Sequence, residues 1–553
     1  MIGNSRGLES LFQTINYRLI FQIQIIVYVN SLKENITRKV AAASLTKRIS
    51  NHFYPFFIMI LTLLLFSLPS TAMANGYTDV TVSEAKTMID FNPSLVVLDV
   101  RTQSEYDFGH IRNAKLIPDT ELESRLDELH INDEILVYCG SGGRSSNASN
   151  ILADHGFLYV YNMLGGIIAW INEGYPVYVK YSSIQEAINS ANEGDTIRVS
   201  SGEYNEHVVV NKTVNLVGEN REITIIDGNG TQTILELVKP NVNVASFTIR
   251  NGSWGAYLAD DADSCMITCC KILNNSYGIF VKSNNSLLTE NIIFNSSMSG
   301  ILICPSCGCS PLWRNIVRAN NLFNNLYGVQ LFYSFEGQVY HNNFINNTYH
   351  AYLLPSSNTT WDNGYPSGGN YWSTYKSTDL RKGSNQEELG SDGIGDVSYT
   401  MFAIITDNFP LMAPISRFDA YNENGVSYSV DIVSNSTISD FYFNPNEGAF
   451  LRFNVTGEDG TAGFCRVTIP KNLLGVEDGW DIFVGSEQIR DYTIIPDENY
   501  AYLYFIYHHS TKTVEIRGDN VIPEFPSAMI LLLTIVFMAL VVAITKKTWK
   551  VIP

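Results

Sequence analysis

Positive charge is scarce in this chain. Lys and Arg number 36 among 553 residues against 55 Asp and Glu, for a net charge of −19. Such an acidic surface, rich in Asn, Gly, Ser and Tyr, excludes nucleic acid as a partner and fits an exported protein. Long apolar runs are equally few. Cysteine is limited to eight residues, namely Cys139, Cys265, Cys269, Cys270, Cys304, Cys307, Cys309 and Cys465. In an exported chain these raise the question of disulfides, whose connectivity the sequence does not reveal. A chain of 553 residues exceeds one core, so several domains are expected.

The two apolar runs frame the topology. Phe53 to Leu68 follows Lys47 and Arg48 and precedes Ala72-Met73-Ala74, the order of a secretory signal. Residues 53–75 are therefore read as a signal peptide or signal anchor, behind a basic leader, 1–52. Ala528 to Thr545 holds 18 residues without a charge and is followed by Lys546, Lys547 and Lys550, which suits a transmembrane helix with a cytoplasmic end. Just before it, Val521 to Ser527 reads VIPEFPS and resembles the sorting signal of archaeal surface proteins with a Pro-Glu-Phe motif. That resemblance implies a tail exchanged for lipid, and a plain single-pass anchor is the alternative. The expected location is the cell membrane, with the body extracytoplasmic and residues 521–553 as motif, helix and basic tail.

Chemistry is spelled out in one stretch, CGSGGRS, Cys139 to Ser145. An apolar run, Glu134 to Tyr138, leads into the cysteine, and a helix-forming segment, SSNASNILADHG, follows. The glycines let successive N–H groups turn inward as an anion nest, and the helix points its positive end at the same place. A thiolate at Cys139 is stabilised there and reactive at neutral pH. Around it, LVVLDVR, ELESRLDELH, EILVYCG, LYVYNML and GGIIAWINEG alternate strand and helix patterns, predicting a small parallel sheet with helices over residues 76–180 and the loop at a strand-to-helix switch.

Here a resemblance becomes specific. Asp99-Val100-Arg101, Ser104-Glu105-Tyr106, Gly109-His110-Ile111, Ala114, the CGSGGRS loop, Gly156-Phe157, Leu164-Gly165-Gly166, Trp170, Gly174 and Pro176 are similar to the spaced motifs of a single rhodanese domain. The resemblance implies a sulfurtransferase that carries sulfane sulfur as a persulfide on Cys139. Gly140, Ser141, Gly142, Gly143, Arg144 and Ser145 would form the anion-binding loop, and Asp99, Arg101, Glu105 and His110 structural support. The C-x4-R spacing suits a persulfide, whereas C-x5-R phosphatase loops surround a phosphate; Ser145 holds the phosphatase arginine position. A small sulfur-containing anion is the expected donor, and a thiol or cyanide the acceptor. No cofactor is called for.

From Tyr181 the texture changes. SSIQEAINSAN reads as a short amphipathic helix, followed by short β-rich runs and an internal repeat. With Gly255, Gly278, Gly300, Gly328 and Ala351 as register marks, the column four residues earlier is Asn251, Asn274, Ser296, Asn324 and Asn347. Six residues earlier stand Ile249, Ile272, Phe294, Leu322 and Ile345, and three later Leu258, Val281, Ile303, Leu331 and Leu354. A period near ~22 with one Asn column and two apolar columns predicts a parallel β-helix over 181–412. One coil carries an insertion, CPSCGC. The region resembles right-handed β-helix proteins, among them polysaccharide lyases, pectin esterases and periplasmic proteins of copper-enzyme maturation, and GGNYWSTY, SDGIGDVSY and DNFPLM resemble a closing segment of archaeal members.

No catalytic constellation of those families can be placed. Asp260, Asp261 and Asp263 are candidates for a cation or a sugar, and Asp392 and Asp396 for calcium, against a background of solvated turn carboxylates. CPSCGC, with Cys265 to Cys270, reads first as disulfides and second as a metal site, and no metal residue is assigned. Residues 413–520 alternate short strands and turns, predicting a β-sandwich. The whole is thus read as multidomain: an α/β domain, a right-handed parallel β-helix, a small β-sandwich and membrane-directed ends. The leading function is an anchored sulfurtransferase whose β-helix acts as spacer or binds surface polysaccharide; the alternatives are a glycan-binding, adhesive β-helix with an accessory rhodanese domain, and a β-helix polysaccharide lyase or hydrolase.

Overall fold

The structure, a computed structural model, describes residues 76–521 apart from 231, 307–309, 355–357, 424–425, 446–448, 477–478 and 519. The expected signal segment and transmembrane helix lie outside the described residues. Among the described residues no helix is long and apolar enough to cross a membrane.

The first region begins with β1 (Thr78–Val80), α1 (Val82–Phe91), β2 (Val96–Asp99), α2 (Gln103–Phe108), β3 (Lys115–Leu116) and β4 (Glu134–Tyr138). It continues through α3 (Gly143–Asp154), β5 (Tyr159–Met163) and α4 (Gly166–Asn172), and its sheet runs in the order β1-β5-β4-β2-β3. β4 is central because Ile135, Leu136, Val137 and Tyr138 are all buried, as expected of a strand covered on both faces. Capping boxes start two helices, Thr81 with Glu84 on α1 and Thr102 with Glu105 on α2. Neither helix was anticipated. The reverse holds for ELESRLDELH, where the expected helix is replaced by two 3-10 turns, Leu122–Ser124 and Leu126–Glu128, broken at Arg125 with φ −126°. Arg125 ties Glu121 and Glu128 together there, and only Leu122 and Leu129 reach the core.

A short helix, α5 (Ile184–Ser190), buries Ile184, Ala187 and Ile188 against the first coil of the repeat. The coils form three parallel sheets of eight, seven and seven strands. Trp254, Tyr277, Ser299, Tyr327 and Tyr349 align in one column, and Leu258, Val281, Ile303, Leu331 and Leu353 in another. The inward column on the next sheet is Ile249, Ile272, Ile293, Leu322 and Phe344. Three expected positions are therefore off by one: Phe294 and Ile345 point away from this column, and Leu354 is exposed while Leu353 is buried. The last register mark shifts likewise, because Val329 pairs with Ala351 and His350 takes the glycine position. Glycine is required in the four earlier coils by close approach. A Cβ on Gly255, Gly278, Gly300 or Gly328 would come within 2.8 Å of the next coil's carbonyl oxygen.

The asparagine column divides into two kinds of position. Asn251, Asn274 and Asn324 adopt left-handed backbone, with φ of 66°, 56° and 56°, which Asn tolerates better than most residues. The buried ladder beside them is made by Asn275, Ser296, Asn325 and Asn347, each Asn side chain accepting an N–H from the coil before it. A second ladder, unseen in the repeat, runs through Asn291, Asn320, Asn342 and Asn370. Each Oδ1 takes the preceding coil's backbone N–H at 3.0 Å. The stack closes where Trp372 lies 4.3 Å from Phe344, ring on ring, and donates to fully buried Asp407. Residues 415–517 then form two five-stranded antiparallel sheets around a separate core, the expected sandwich arrangement.

The α/β region and the coils meet at Glu219. Its carboxylate is buried and accepts from His110 Nε2 at 3.0 Å, Asn113 N–H at 2.8 Å and the Ser201 N–H and hydroxyl at 2.8 and 2.9 Å. Burial acts to raise its pKa, but the His110 hydrogen bond and charge and the two N–H donors outweigh it and leave it below the ordinary glutamate value.

Candidate functional site: the Cys139 loop

The site follows from the end of β4. Cys139 and Gly140 leave the strand and are held by α4, whose Ile167 and Ile168 N–H groups donate to their carbonyls at 2.8 and 3.1 Å. A Cβ on Gly166 would lie 2.4 Å from the Cys139 carbonyl oxygen, so this approach admits glycine alone. Gly142 then turns the chain with φ 105° into α3, and its N–H donates to Cys139 Sγ at 3.2 Å. Arg144 leaves the first turn of α3 and meets Glu105, Nη1 to Oε2 at 2.9 Å and Nη2 to Oε1 at 2.6 Å. Ser145 is buried, and its hydroxyl donates to Asn162 Oδ1 at 2.7 Å.

Cys139 is only 1% exposed, so its sulfur lies at the base of the loop. Burial acts to raise the thiol's pKa, yet hydrogen bonding by the Ser145 hydroxyl, shared with Asn162, and by the N–H groups of Ser145, Gly142 and Ser141 brings it below the ordinary cysteine value. Glu105 is driven down to about 2, first by the hydrogen bonds from Arg144. The structure thus gathers Cys139, Gly140, Ser141, Gly142, Gly143, Arg144 and Ser145 in one loop, with Glu105 in direct contact. Asp99, Arg101 and His110 stand behind it. Arg101 Nε and Nη2 donate to Asp99, Nη2 also reaches the Gly109 carbonyl, and both residues are buried. His110 stacks on Tyr106 with centroids 3.7 Å apart. Asn162 and Asp79, which complete the chain Ser145–Asn162–Asp79, were missed. Their signal was only a polar residue in an apolar strand.

The other candidates are used locally. Asp263 accepts the Asn284 N–H at 2.7 Å and Asp260 accepts the Ser306 hydroxyl at 3.0 Å. Asp396 accepts the N–H groups of Leu380 and Arg381, whereas Asp392 is buried. Disulfides within the Cys265 to Cys270 group do not form: Cys265 Sγ donates to the Lys239 carbonyl, and Cys265, Cys269 and Cys270 are thiols. Burial pushes Cys265 up to about 11 and Cys270 up to about 12. Cys307 and Cys309 lie outside the described residues.

Comparison with known proteins finds relatives for both regions. The rhodanese-like domain model matches residues 81–173, and the model for periplasmic copper-binding protein (NosD) matches residues 158–377. The overlap, 158–173, holds β5 and α4, which belong to the α/β sheet. Thiosulfate sulfurtransferase 18 of Arabidopsis thaliana is 34% identical over 125 residues, which span 20% of this chain and 90% of that one. A putative sulfur carrier protein, YrkF, of Bacillus subtilis is 37% identical over 18% of this chain, which spans 55% of that relative's length. A solved rhodanese-related protein from Thermoplasma volcanium is 35% identical, covering 19% of this chain and 100% of that one, with a TM-score of 0.18. The chain belongs to the rhodanese family through this domain, and its second region is NosD-like. Among the described residues no group of three or more His, Cys, Asp or Glu side chains stands close enough to hold a metal.

Proposed function

We propose that the protein is an extracytoplasmic, membrane-anchored sulfurtransferase in which Cys139 carries sulfane sulfur. The observation that supports this most is a cysteine enclosed by inward N–H groups, with its thiol pKa lowered in spite of burial. With thiosulfate, the Cys139 thiolate attacks the outer sulfur. A bond from Sγ to that sulfur forms, the S–S bond of thiosulfate breaks, and sulfite leaves with the electron pair. The loop N–H groups and the positive end of α3 stabilise first the thiolate and then the terminal persulfide anion. Arg144 supplies the cation for an anionic donor, and Asp99, Arg101 and His110 hold the fold behind the loop. A thiolate or cyanide then attacks the outer sulfur and regenerates the Cys139 thiolate. Thiosulfate-dependent thiocyanate formation by the full-length protein, lost in Cys139→Ala, is the expected result; equal rates in both proteins contradict the reading.

The export signal, the anchor at 528–545 and the NosD-like region together support the extracytoplasmic placement. A glycan-binding role for the right-handed β-helix is favoured by one feature. Trp254, Tyr257, Tyr277 and Phe280 form a half-buried aromatic stripe along one sheet, with Lys282 over the Tyr257 and Phe280 rings. Binding of surface polysaccharide that is lost in Trp254→Ala, with no cleavage of the polymer, is the outcome expected of that role. An unchanged affinity argues for a spacer.

A further inference from the structure

The junction between the β-helix and the sandwich encloses a cavity of about 380 Å³, and a second of about 300 Å³ continues it past His341, Arg417 and Asp431, which line both. Two ties hold the junction at a set spacing. Asn343 of the β-helix donates to the Ile415 carbonyl at 2.7 Å and accepts the Ile415 N–H at 2.9 Å, where the first sandwich strand begins. Arg417, on the same strand, holds Asp431 through two hydrogen bonds of 2.7 Å and reaches Glu290 of the β-helix at 3.6 Å. The space is therefore preformed, and its size falls within the range of small-ligand sites, roughly 300–1,000 Å³.

The larger cavity offers a cation without an anion. Arg318 and Tyr340 are register partners on adjoining strands, so both side chains leave the same face of one sheet and enter the wall together. The buried Nε of Arg318 has no hydrogen-bond partner among the described residues. Thr289, the register partner of Arg318 on the preceding coil, is 4% exposed, and its hydroxyl is unpartnered too. A buried donor left without an acceptor is costly, and a ligand carboxylate lying against the guanidinium would supply one. His341 adds an acceptor. Its Nε2 lies 3.1 Å from the Ser367 carbonyl, which can only accept, so the ring proton sits there and Nδ1 keeps its lone pair. Burial pulls the His341 pKa down to about 4 and keeps the ring neutral. Apart from Pro470, every residue lining this cavity is polar or aromatic, Ser429, Asn472, Asn499 and Tyr500 among them. An apolar ligand would strand those groups, whereas hydroxyls would pair with them.

We propose that this cavity binds an acidic sugar, with its carboxylate on Arg318, its ring against Tyr340 and its hydroxyls on the polar wall. The site is separate from the Cys139 loop, and it is separate from the aromatic stripe because Arg318 and Tyr340 belong to a different sheet from Trp254 and Tyr277. One uncommitted guanidinium matches a monoanion, and its planar fork matches a carboxylate. A dianion would meet the Asp431 carboxylate in the same wall, with Arg417 already taken.

The test is titration calorimetry on the full-length protein with four probes: a disaccharide of glucuronic acid and a neutral hexose, the same disaccharide with its carboxyl reduced to an alcohol, acetate, and a short peptide whose only charge is a C-terminal carboxylate. The acidic disaccharide is expected to bind at least about tenfold more tightly than each of the other three. Arg318→Gln removes that advantage, and Tyr340→Ala weakens both disaccharides by at least about threefold. Arg314→Gln, at an exposed arginine paired with Glu336, changes neither. Protection of Arg318 from phenylglyoxal by the acidic disaccharide, read by peptide mass spectrometry, tests the same contact without a substitution. Equal affinity for the acidic and reduced disaccharides, or an advantage that survives Arg318→Gln, overturns the site. Binding lost in Trp254→Ala and kept in Arg318→Gln overturns it too, and puts the sugar on the aromatic stripe. A peptide that binds as tightly as the acidic disaccharide overturns the sugar as ligand.

Discussion

The α/β region and the β-helix enclose cysteine to the same degree and give it opposite chemistry. Cys139 and Cys270 are 1% and 0% exposed. At Cys139 the enclosing groups are inward N–H donors, and the thiol's pKa falls; at Cys270 burial prevails, and it rises to about 12. Enclosure alone therefore says nothing about reactivity. What decides is the balance of donors against burial: Cys139 receives the Ser145 hydroxyl and three N–H groups, whereas Cys270 receives only the Phe247 and Ser246 N–H groups, which its complete burial outweighs. Elsewhere in the β-helix the N–H groups pair between coils, and where the coil turns, asparagine side chains accept others.

The largest expected contrast comes from the same substitution in both regions. Cys139→Ser should abolish sulfur transfer, a loss of at least about a thousandfold in thiocyanate formation, with the unfolding midpoint unchanged. Cys270→Ser should keep the rate and lose about 1–2 kcal/mol in chemical denaturation, because a hydroxyl replaces a thiol in an apolar site. An active Cys139→Ser protein would break the comparison.

Next in size is the asparagine ladder. Asn342 Nδ2 donates to the Val317 and Tyr340 carbonyls and to Asn370, while its Oδ1 serves Asn320. Asn342→Ala strands several buried polar groups and should cost about 2–4 kcal/mol in denaturation of the β-helix, leaving sulfur transfer intact. A loss below about 0.5 kcal/mol would mean that the ladder is decoration. Alkylation sharpens the contrast further: at neutral pH a small iodoacetamide should modify Cys139 at least about tenfold faster than Cys265, Cys270 or Cys465, read by peptide mass spectrometry.

The smallest effect concerns the junction. Glu219 has a folded pKa below its ordinary value of 4.5, so its contribution is fully present above that value and is lost as pH falls through the folded pKa. Glu219→Gln should cost about 1–2 kcal/mol at pH 7, and the difference from wild type should shrink below pH 4.5, measured by denaturation across that range. A difference that grows on acidification has the wrong sign.

How legible each region was follows from what fixes it. The loop was readable because Gly142 and Gly166 are demanded by backbone geometry at named positions, and because Cys139 and Arg144 sit at a spacing with chemical meaning. The Glu105 contact was not readable, since it joins residues 39 apart in sequence. In the repeat, the period and the glycines were plain, but the inward columns slipped by one at Phe294, Ile345 and Leu354, where coil lengths vary by a residue. The ladder through Asn291, Asn320, Asn342 and Asn370 escaped for the same reason: in a chain full of Asn, only the register tells a stacked one from a turn. The helices α1 and α2 were missed, although Thr81 and Thr102 with their partner glutamates marked both starts.

The central claim is that Cys139, and not the thiols of the β-helix, carries sulfur. Intact-peptide mass spectrometry of the full-length protein after exposure to a sulfane-sulfur donor tests it most directly. The account predicts an added mass of about 32 Da on the Cys139 peptide, as for one sulfur on a nucleophilic thiolate, with Cys265, Cys269 and Cys270 unmodified. An unmodified Cys139, or sulfur found on the β-helix cysteines instead, would contradict it.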